Sequence, residues 1–289
     1  MICHEWLAPN GDLISLSDAG SGISMISGGV EGLGMPPTSA FVRESGGLDG
    51  QSLRGFKTAA REVFWPILLH RGTRGWDENQ ARFWASLVPG EYGEWRVTHN
   101  RVTRTLQCRY DSGGDAAYDL DPSVRLVEQQ GIALVADRPM WRGPLVSRLF
   151  RSATSSGSFF AEPGSAHVFN IGSAGNVDQS QFSNPGNVPA WPVITVWGPS
   201  QAFTVTVDGA EISATLALSA GERLVIDTDP RSQVVRLHSG GSSELFPFFN
   251  FDSIAFAPIP RGASAPVGIT VNGSGPIDVA FYPQYWRAF

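Results

Sequence analysis

Between Trp191 and the C-terminus, apolar and polar residues alternate in short runs cut by Gly, Pro and Asn-Gly. A period of two is the signature of strands with one buried face. Phe203, Val205 and Val207 share one face, Thr204, Thr206 and Asp208 the other, and Asp208-Gly209 predicts a turn. Ile212, Ala214, Leu216 and Leu218 repeat the pattern, and Leu224 and Ile226 continue it. Val267, Ile269 and Val271 stand against Ile277, Val279 and Phe281 across Asn272-Gly273, a dipeptide that predicts a hairpin.

The first half is less regular. Short strands are expected around Trp6, Leu13 to Leu16 and Ile23 to Ile26, within a Gly- and Ser-rich stretch of residues 1–60. Glu62 to His70 reads as a strand, with Pro66 pointing to an edge or a bulge because proline cannot donate to a ladder. One helix follows: Asp77 as cap with Gln80 three residues on, an apolar stripe of Phe83, Trp84, Leu87 and Val88, and Pro89-Gly90 as its end. Trp95 and Val97 pair with Leu106, Cys108 and Tyr110 in a predicted hairpin through Asn100-Arg101. Leu126 and Ile132 to Val135 supply two more strands. A chain of 289 residues favours two cores over one. Arg138 to Pro144 looks like the end of a first domain and Ser152 to Gly157 like a linker, so the expected domains are 1–150 and 151–289.

Composition narrows the function. Apolar residues make up 42% and charged residues 17%, and the 33 Gly and 20 Pro suit a turn-dense β protein rather than a disordered one. The net charge is −6 with no basic face, which disfavours nucleic acid as a partner and leaves no expectation of sequence-specific binding. The N-terminal segment lacks the pattern of a signal peptide. The longest apolar cluster, Val63 to Leu69, is too short to cross a bilayer, so no membrane insertion is expected. Cys3 and Cys108 are too few for a disulfide framework.

The chain spells out no motif for catalysis or nucleotide binding. No serine sits in Gly-x-Ser-x-Gly, no Gly-Lys-Ser/Thr follows a Gly-rich loop, and His4, His70, His99, His167 and His238 show no zinc spacing. Glu91 with Glu94 and Asp227 with Asp229 are the carboxylate pairs available for acid–base work or a cation, but both lie in turns, where solvated acids are expected. No catalytic, cofactor-binding or metal residue is assigned, no cofactor is expected, and the chain is read as a non-enzyme. Aromatic clusters at Phe246, Phe248, Phe249, Phe251 and at Tyr282, Tyr285, Trp286 suit core filling or subunit contact, with a sugar-stacking surface as the alternative. Asn272-Gly273-Ser274 matches a glycosylation acceptor but carries no weight without a signal peptide.

Taken in order, several segments resemble a known family. They are Glu31-Gly32-Leu33-Gly34-Met35-Pro36-Pro37, Arg61-Glu62-Val63 with Pro66-Ile67, the helix with Phe83 and Trp84, and Arg104-Thr105-Leu106-Gln107-Cys108-Arg109-Tyr110. In the second half they are Asn184 to Pro192, Trp197-Gly198-Pro199, Gly221 to Thr228, and Tyr282-Pro283-Gln284-Tyr285-Trp286. Together they resemble the distal tail protein (Dit) of long-tailed phages, in versions from phages of actinobacteria, and the resemblance rests on their order rather than on any one motif.

The resemblance implies a mainly β fold. The first domain would be a ring-forming β-sandwich with one helix and an extended hairpin, and the second a galectin-like β-sandwich. It also implies a homo-oligomer, a hexameric ring at the tail tip that joins the tail tube protein to the tail hub protein near the tape-measure protein and surrounds the DNA exit channel. The location it implies is the virion, with assembly in the host cytoplasm. Two alternatives stand beside it: a carbohydrate-binding adhesion module for the host envelope, and a cell-wall hydrolase using Glu91 or Glu94.

Overall fold

A computed structural model describes residues 2–26, 28–47, 49–114, 121–152, 168–171 and 180–289. The chain is mainly β and divides into two compact units, Met1–Gly143 with Tyr285–Phe289, and Pro144–Gln284. The sequence places a boundary near residue 150 and a linker at Ser152 to Gly157. In the structure residues 146–152 already form a strand that pairs with Ile277–Phe281, within the second unit, and residues 153–157 lie outside the described residues.

The first unit contains β1 (Ile2–Leu7), β2 (Leu13–Ser15), β3 (Ile23–Met25), β4 (Thr38–Glu44), β5 (Gln51–Thr58), β6 (Arg61–His70), α1 (Trp76–Ala85), β7 (Tyr92–His99), β8 (Val102–Gly113), the one-turn α2 (Pro122–Arg125), β9 (Val127–Ala136) and β10 (Trp141–Arg142). Its main sheet runs β2-β1-β7-β8-β9-β6-β3, with neighbours antiparallel. The two ends almost meet: the Met25 amide at the end of β3 donates to the Leu16 carbonyl just past β2, at 2.8 Å. One sheet thus curls into a nearly closed barrel and supplies both layers around the core.

Alternation along the strands fills the interior. Trp6, Trp65, Trp95 and Trp141 are each at most 2% exposed, and successive rings meet at 5.1, 5.4 and 5.1 Å in edge or tilted contacts. Such geometry suits the ring quadrupole better than face-to-face stacking. The hairpin through Asn100-Arg101 forms, both residues taking the positive φ (50° and 66°) that a tight primed turn needs.

Three local expectations change, one being that α1 ends at Ala85, so Leu87 and Val88 lie past it instead of on its stripe. Pro66 lies inside the strand order, between β9 and β3. Its carbonyl accepts from Ile26 at 2.8 Å, so its missing N–H faces the same side, where β3 has just ended at Met25. The ladder loses one bond at its frayed end. Asp77 is not the helix cap: α1 begins at Trp76 after Gly75, with no side-chain cap, and Asp77 and Glu78 instead occupy the first turn, where negative charge meets the positive end of the helix dipole. Trp76, Asn79 and Phe83 form the buried face of α1, and Asn79 donates to the His70 and Arg71 carbonyls at 3.1 and 3.0 Å.

The last five residues return to this unit. Arg61, 1% exposed, donates to the carbonyls of Pro139 (2.7 Å), Gly32 (2.8 Å), Gly34 (2.6 Å) and Trp286 (2.7 Å), so one guanidinium ties the tail to two loops. Burial pushes its pKa down to about 10. Arg104 lies 3.7 Å from the Tyr285 ring centroid and donates to the Arg287 carbonyl, while Ala288 is buried.

The second unit contains β11 (Val146–Ser152), β12 (Val168–Ile171), β13 (Ser180–Ser183), β14 (Val193–Trp197), β15 (Ser200–Val207), β16 (Ala210–Ala214), β17 (Arg223–Asp227), β18 (Val234–Ser239), β19 (Ser242–Leu245), β20 (Ser253–Ile254), β21 (Ser264–Gly273) and β22 (Ile277–Phe281). A seven-stranded sheet, β12-β11-β22-β14-β17-β18-β19, and a five-stranded sheet, β13-β21-β15-β16-β20, share one core. Ile194, Val196, Leu224, Ile226, Ile277 and Val279 come from one sheet, and Phe203, Val205, Val207, Ile212, Val267 and Ile269 from the other. The alternating residues of the sequence are therefore the two inner faces of a sandwich.

The Asn272-Gly273 hairpin does not form. β21 pairs with β15 and β13, whereas β22 pairs with β14 and β11, so the chain crosses between sheets at this turn. The crossing is pinned locally. The amides of Ser274 and Gly275 donate to the Pro199 carbonyl, Trp197 donates to the Pro276 carbonyl, and a side chain at Gly275 would strike the Trp197 carbonyl. Two apolar faces joined by a turn can pack across a core as well as side by side, and here the first arrangement wins.

Candidate assembly surface

The carboxylates singled out in the sequence do not converge. Glu91 is exposed in the turn after α1, while Glu94 on β7 pairs with Arg96 at 3.4 Å. Asp227 accepts from the Asp229 amide and the Ser232 hydroxyl, and Asp229 accepts from the Arg231 amide at 3.0 Å, so both carboxylates are spent on the turn. Among the described residues no group of three or more His, Cys, Asp or Glu could hold a metal ion. His70 contacts Ser24, His99 packs near Phe289, and His167 lies outside the described residues. Cys3 is exposed and Cys108 buried, where desolvation pushes its thiol well above the usual range and keeps it unreactive.

The titratable cluster with the clearest mutual effects is a surface one. Arg109 on β8 donates to Asp137 at 3.1 Å, and the Tyr92 hydroxyl on β7 donates to the same carboxylate. Those bonds hold the Asp137 carboxyl below its ordinary range and raise the Tyr92 phenol. The group is an ion network on an open sheet face, without an enclosed pocket for a reacting atom.

The aromatic clusters mostly turn inward. Phe246 and Phe251 pack on the core of the second unit at 5.9 Å from each other, and Phe251 meets Phe203. Tyr285 is covered by Arg104, and Trp286 meets Phe56 at 6.0 Å. Three of them stay exposed: Phe248 and Phe249 on a short 3-10 turn, the latter at 85%, and Tyr282.

A conspicuous uncovered surface is the hairpin of β4 and β5. It forms its own two-stranded sheet, and nearly all of its residues are exposed. Cross-strand register places Ala40 opposite Phe56 and Val42 opposite Leu53, so these four apolar residues share one face. Val42, Leu53 and Phe56 are 42%, 66% and 57% exposed. A two-stranded ribbon is marginal in water, and one with an open apolar face gains stability when a partner covers it. The opposite face carries Ser39, Phe41, Arg43 and Lys57.

Comparison with solved structures places this architecture. The SPP1 Dit protein, described as a paradigm of the hub adsorption apparatus in phages infecting Gram-positive bacteria, superposes with a TM-score of 0.59 at 12% identity, over 98% of this chain and 99% of its own. The chain has the Dit fold. Two structures of the phage P2 baseplate in its activated conformation, with Ca and with Sr, align with TM-scores of 0.55 and 0.54 at 7% and 6% identity, each over 97% of this chain and 98% of theirs. No protein-family model matches the chain, and no curated protein sequence matches it.

The hairpin that provides this surface was not read as strands in the sequence. Its signal was weak for a physical reason: with no buried face, nothing forces alternation, and Phe41 and Val42 point to opposite sides of the ribbon.

Proposed function

We propose that this protein is a non-enzymatic structural component of a phage tail tip, a distal tail protein whose copies form a hexameric ring between tail tube and hub, around the DNA exit channel. The supporting observation is a Dit-like fold over nearly the whole chain, with an arm whose apolar face is open at Val42 and Leu53 and touches its own subunit where Phe56 meets Trp286. A ring needs two different complementary patches on each subunit. In this proposal the face of Ala40, Val42, Leu53 and Phe56 is one of them, laid on the barrel of the adjacent copy, and the second unit, a sandwich of galectin type, faces neighbouring tip proteins.

The test is the oligomeric state of the purified chain, alone and mixed with tube or hub protein, by light scattering and negative-stain imaging. Rings are expected, and Val42→Asp with Leu53→Asp should abolish them while leaving the monomer folded. A strict monomer at every concentration that also forms no ring with either partner would overturn the proposal.

A further inference from the structure

The outer face of the seven-stranded sheet holds a row of side chains that the tail-tip role does not use. Trp197 on β14, Arg223 on β17, His238 on β18 and Ser243 on β19 are direct cross-strand neighbours. Their flanking residues Val196 and Leu224 are fully buried and Leu237 packs on the core, so alternation turns the row outward. Arg223 lies over the Trp197 ring, with Cζ 5.1 Å from the centroid.

Trp197, Arg223 and His238 of this row floor a depression of about 260 Å³. Its rim is largely backbone: Gly221, Gly240 and Gly241 take φ of 88°, 55° and 89°, and a side chain on any of them would meet open space. Ser239 and Ser242 add hydroxyls. Glu222 is fixed by the Ser239 hydroxyl and the Ser219 amide, each at 2.7 Å. The side chains of Arg223 and His238 make no hydrogen bond or ion pair with the described residues.

We propose that this row is a saccharide-binding subsite, with Trp197 as the apolar platform and Arg223 and His238 as hydrogen-bonding partners for ring hydroxyls. The volume falls below the roughly 300–1,000 Å³ of drug-sized pockets and suits a single ring. A sugar presents a C–H face together with hydroxyls that both donate and accept. The lining matches that mixture: an indole, a donor-only guanidinium, an imidazole, and the Ser239 and Ser242 hydroxyls, whose protons go to Glu222 and to the Ser239 carbonyl and whose lone pairs are left to accept. The apolar Trp197 face offers a free anion nothing, and a wholly apolar ligand would strand the Arg223 donors. The residues differ from the Phe and Tyr clusters of the sequence, and the proposal stands apart from ring assembly, because binding is read equally well on a monomer.

The full chain would be titrated with methyl glycosides of the common hexoses, N-acetylhexosamines and deoxyhexoses, by saturation-transfer NMR and calorimetry, with inorganic phosphate as a separate arm. At least one glycoside should saturate, with a dissociation constant of about 1 mM, typical of one small ring. Trp197→Ala and Arg223→Ala should each weaken it by at least about tenfold. His238→Ala, at a less packed position, serves as the third variant should either of the others misfold, with the same expected direction. The proposal is overturned if no glycoside saturates, if saturation is unchanged in every folded variant, or if phosphate alone occupies the site.

Discussion

Replacing Arg61 by Ala removes a buried charge that holds four carbonyls, those of Gly32, Gly34, Pro139 and Trp286. Hydrogen bonds from a charged donor contribute about 1.5–3 kcal/mol each, or roughly 6–12 kcal/mol for four. Desolvation opposes them. Burial that pulls the guanidinium down to about 10 corresponds to a cost of about 3 kcal/mol. The bonds win, but not by their full sum, and the Gly32 carbonyl keeps a second donor in the Trp141 indole at 3.3 Å. The expected loss is about 3–5 kcal/mol, a drop of about 10 °C in the midpoint of the first unit. Arg61→Lys should fall between, since an ammonium with three donors cannot span four acceptors.

Seven of the nine tryptophans belong to the first unit, so urea or thermal melts followed by tryptophan fluorescence report on it selectively. The second unit serves as an internal control and should keep its own transition. Amide hydrogen exchange should also show Tyr285–Phe289 losing protection before the barrel does. An Arg61→Ala protein less than about 1 kcal/mol destabilised, or an Arg61→Lys protein matching the parent, would refute the view that this guanidinium clasps the tail.

Other perturbations test separate parts of the fold. Val42→Asp and Leu53→Asp on the open arm should shift monomer stability by no more than about 0.5 kcal/mol while weakening self-association at least tenfold, read by sedimentation; equal loss of both would mean the arm packs within its own subunit. Gly93→Ala should cost about 1–3 kcal/mol in denaturant melts, because a methyl there runs into the Trp6 ring and lies 2.8 Å from the Leu7 carbonyl. His4 stacks on Trp95 at 5.7 Å, and burial lowers its pKa below 6.5, so the folded state favours the neutral ring. Stability should fall as pH drops below about 6.5 toward the folded-state value, and His4→Gln should remove that component; a parent and variant with identical pH profiles would exclude it.

Much of the second unit was legible in the chain. Phe203, Val205 and Val207, or Leu224 and Ile226, announce an inner face because a strand with one wet side must alternate. The turn at Asn100-Arg101 was readable for a similar reason, being decided by two residues and their immediate neighbours. The arm and the sheet crossing at Gly273 were not, since one has no core to impose a pattern and the other depends on strands some 70 residues away.

What the amino-acid sequence determines alone is local: which stretches extend, which face of each is apolar, where the chain turns, and that no catalytic constellation is spelled out in adjacent residues. Partner choice belongs to the tertiary structure. Strand order, the return of Tyr285–Phe289 to the first unit, the four acceptors around Arg61, and the row Trp197, Arg223, His238 all join residues far apart in the chain. A period of two names a face without naming its neighbour, and only the simultaneous burial of every such face selects one register among the many that local pattern allows.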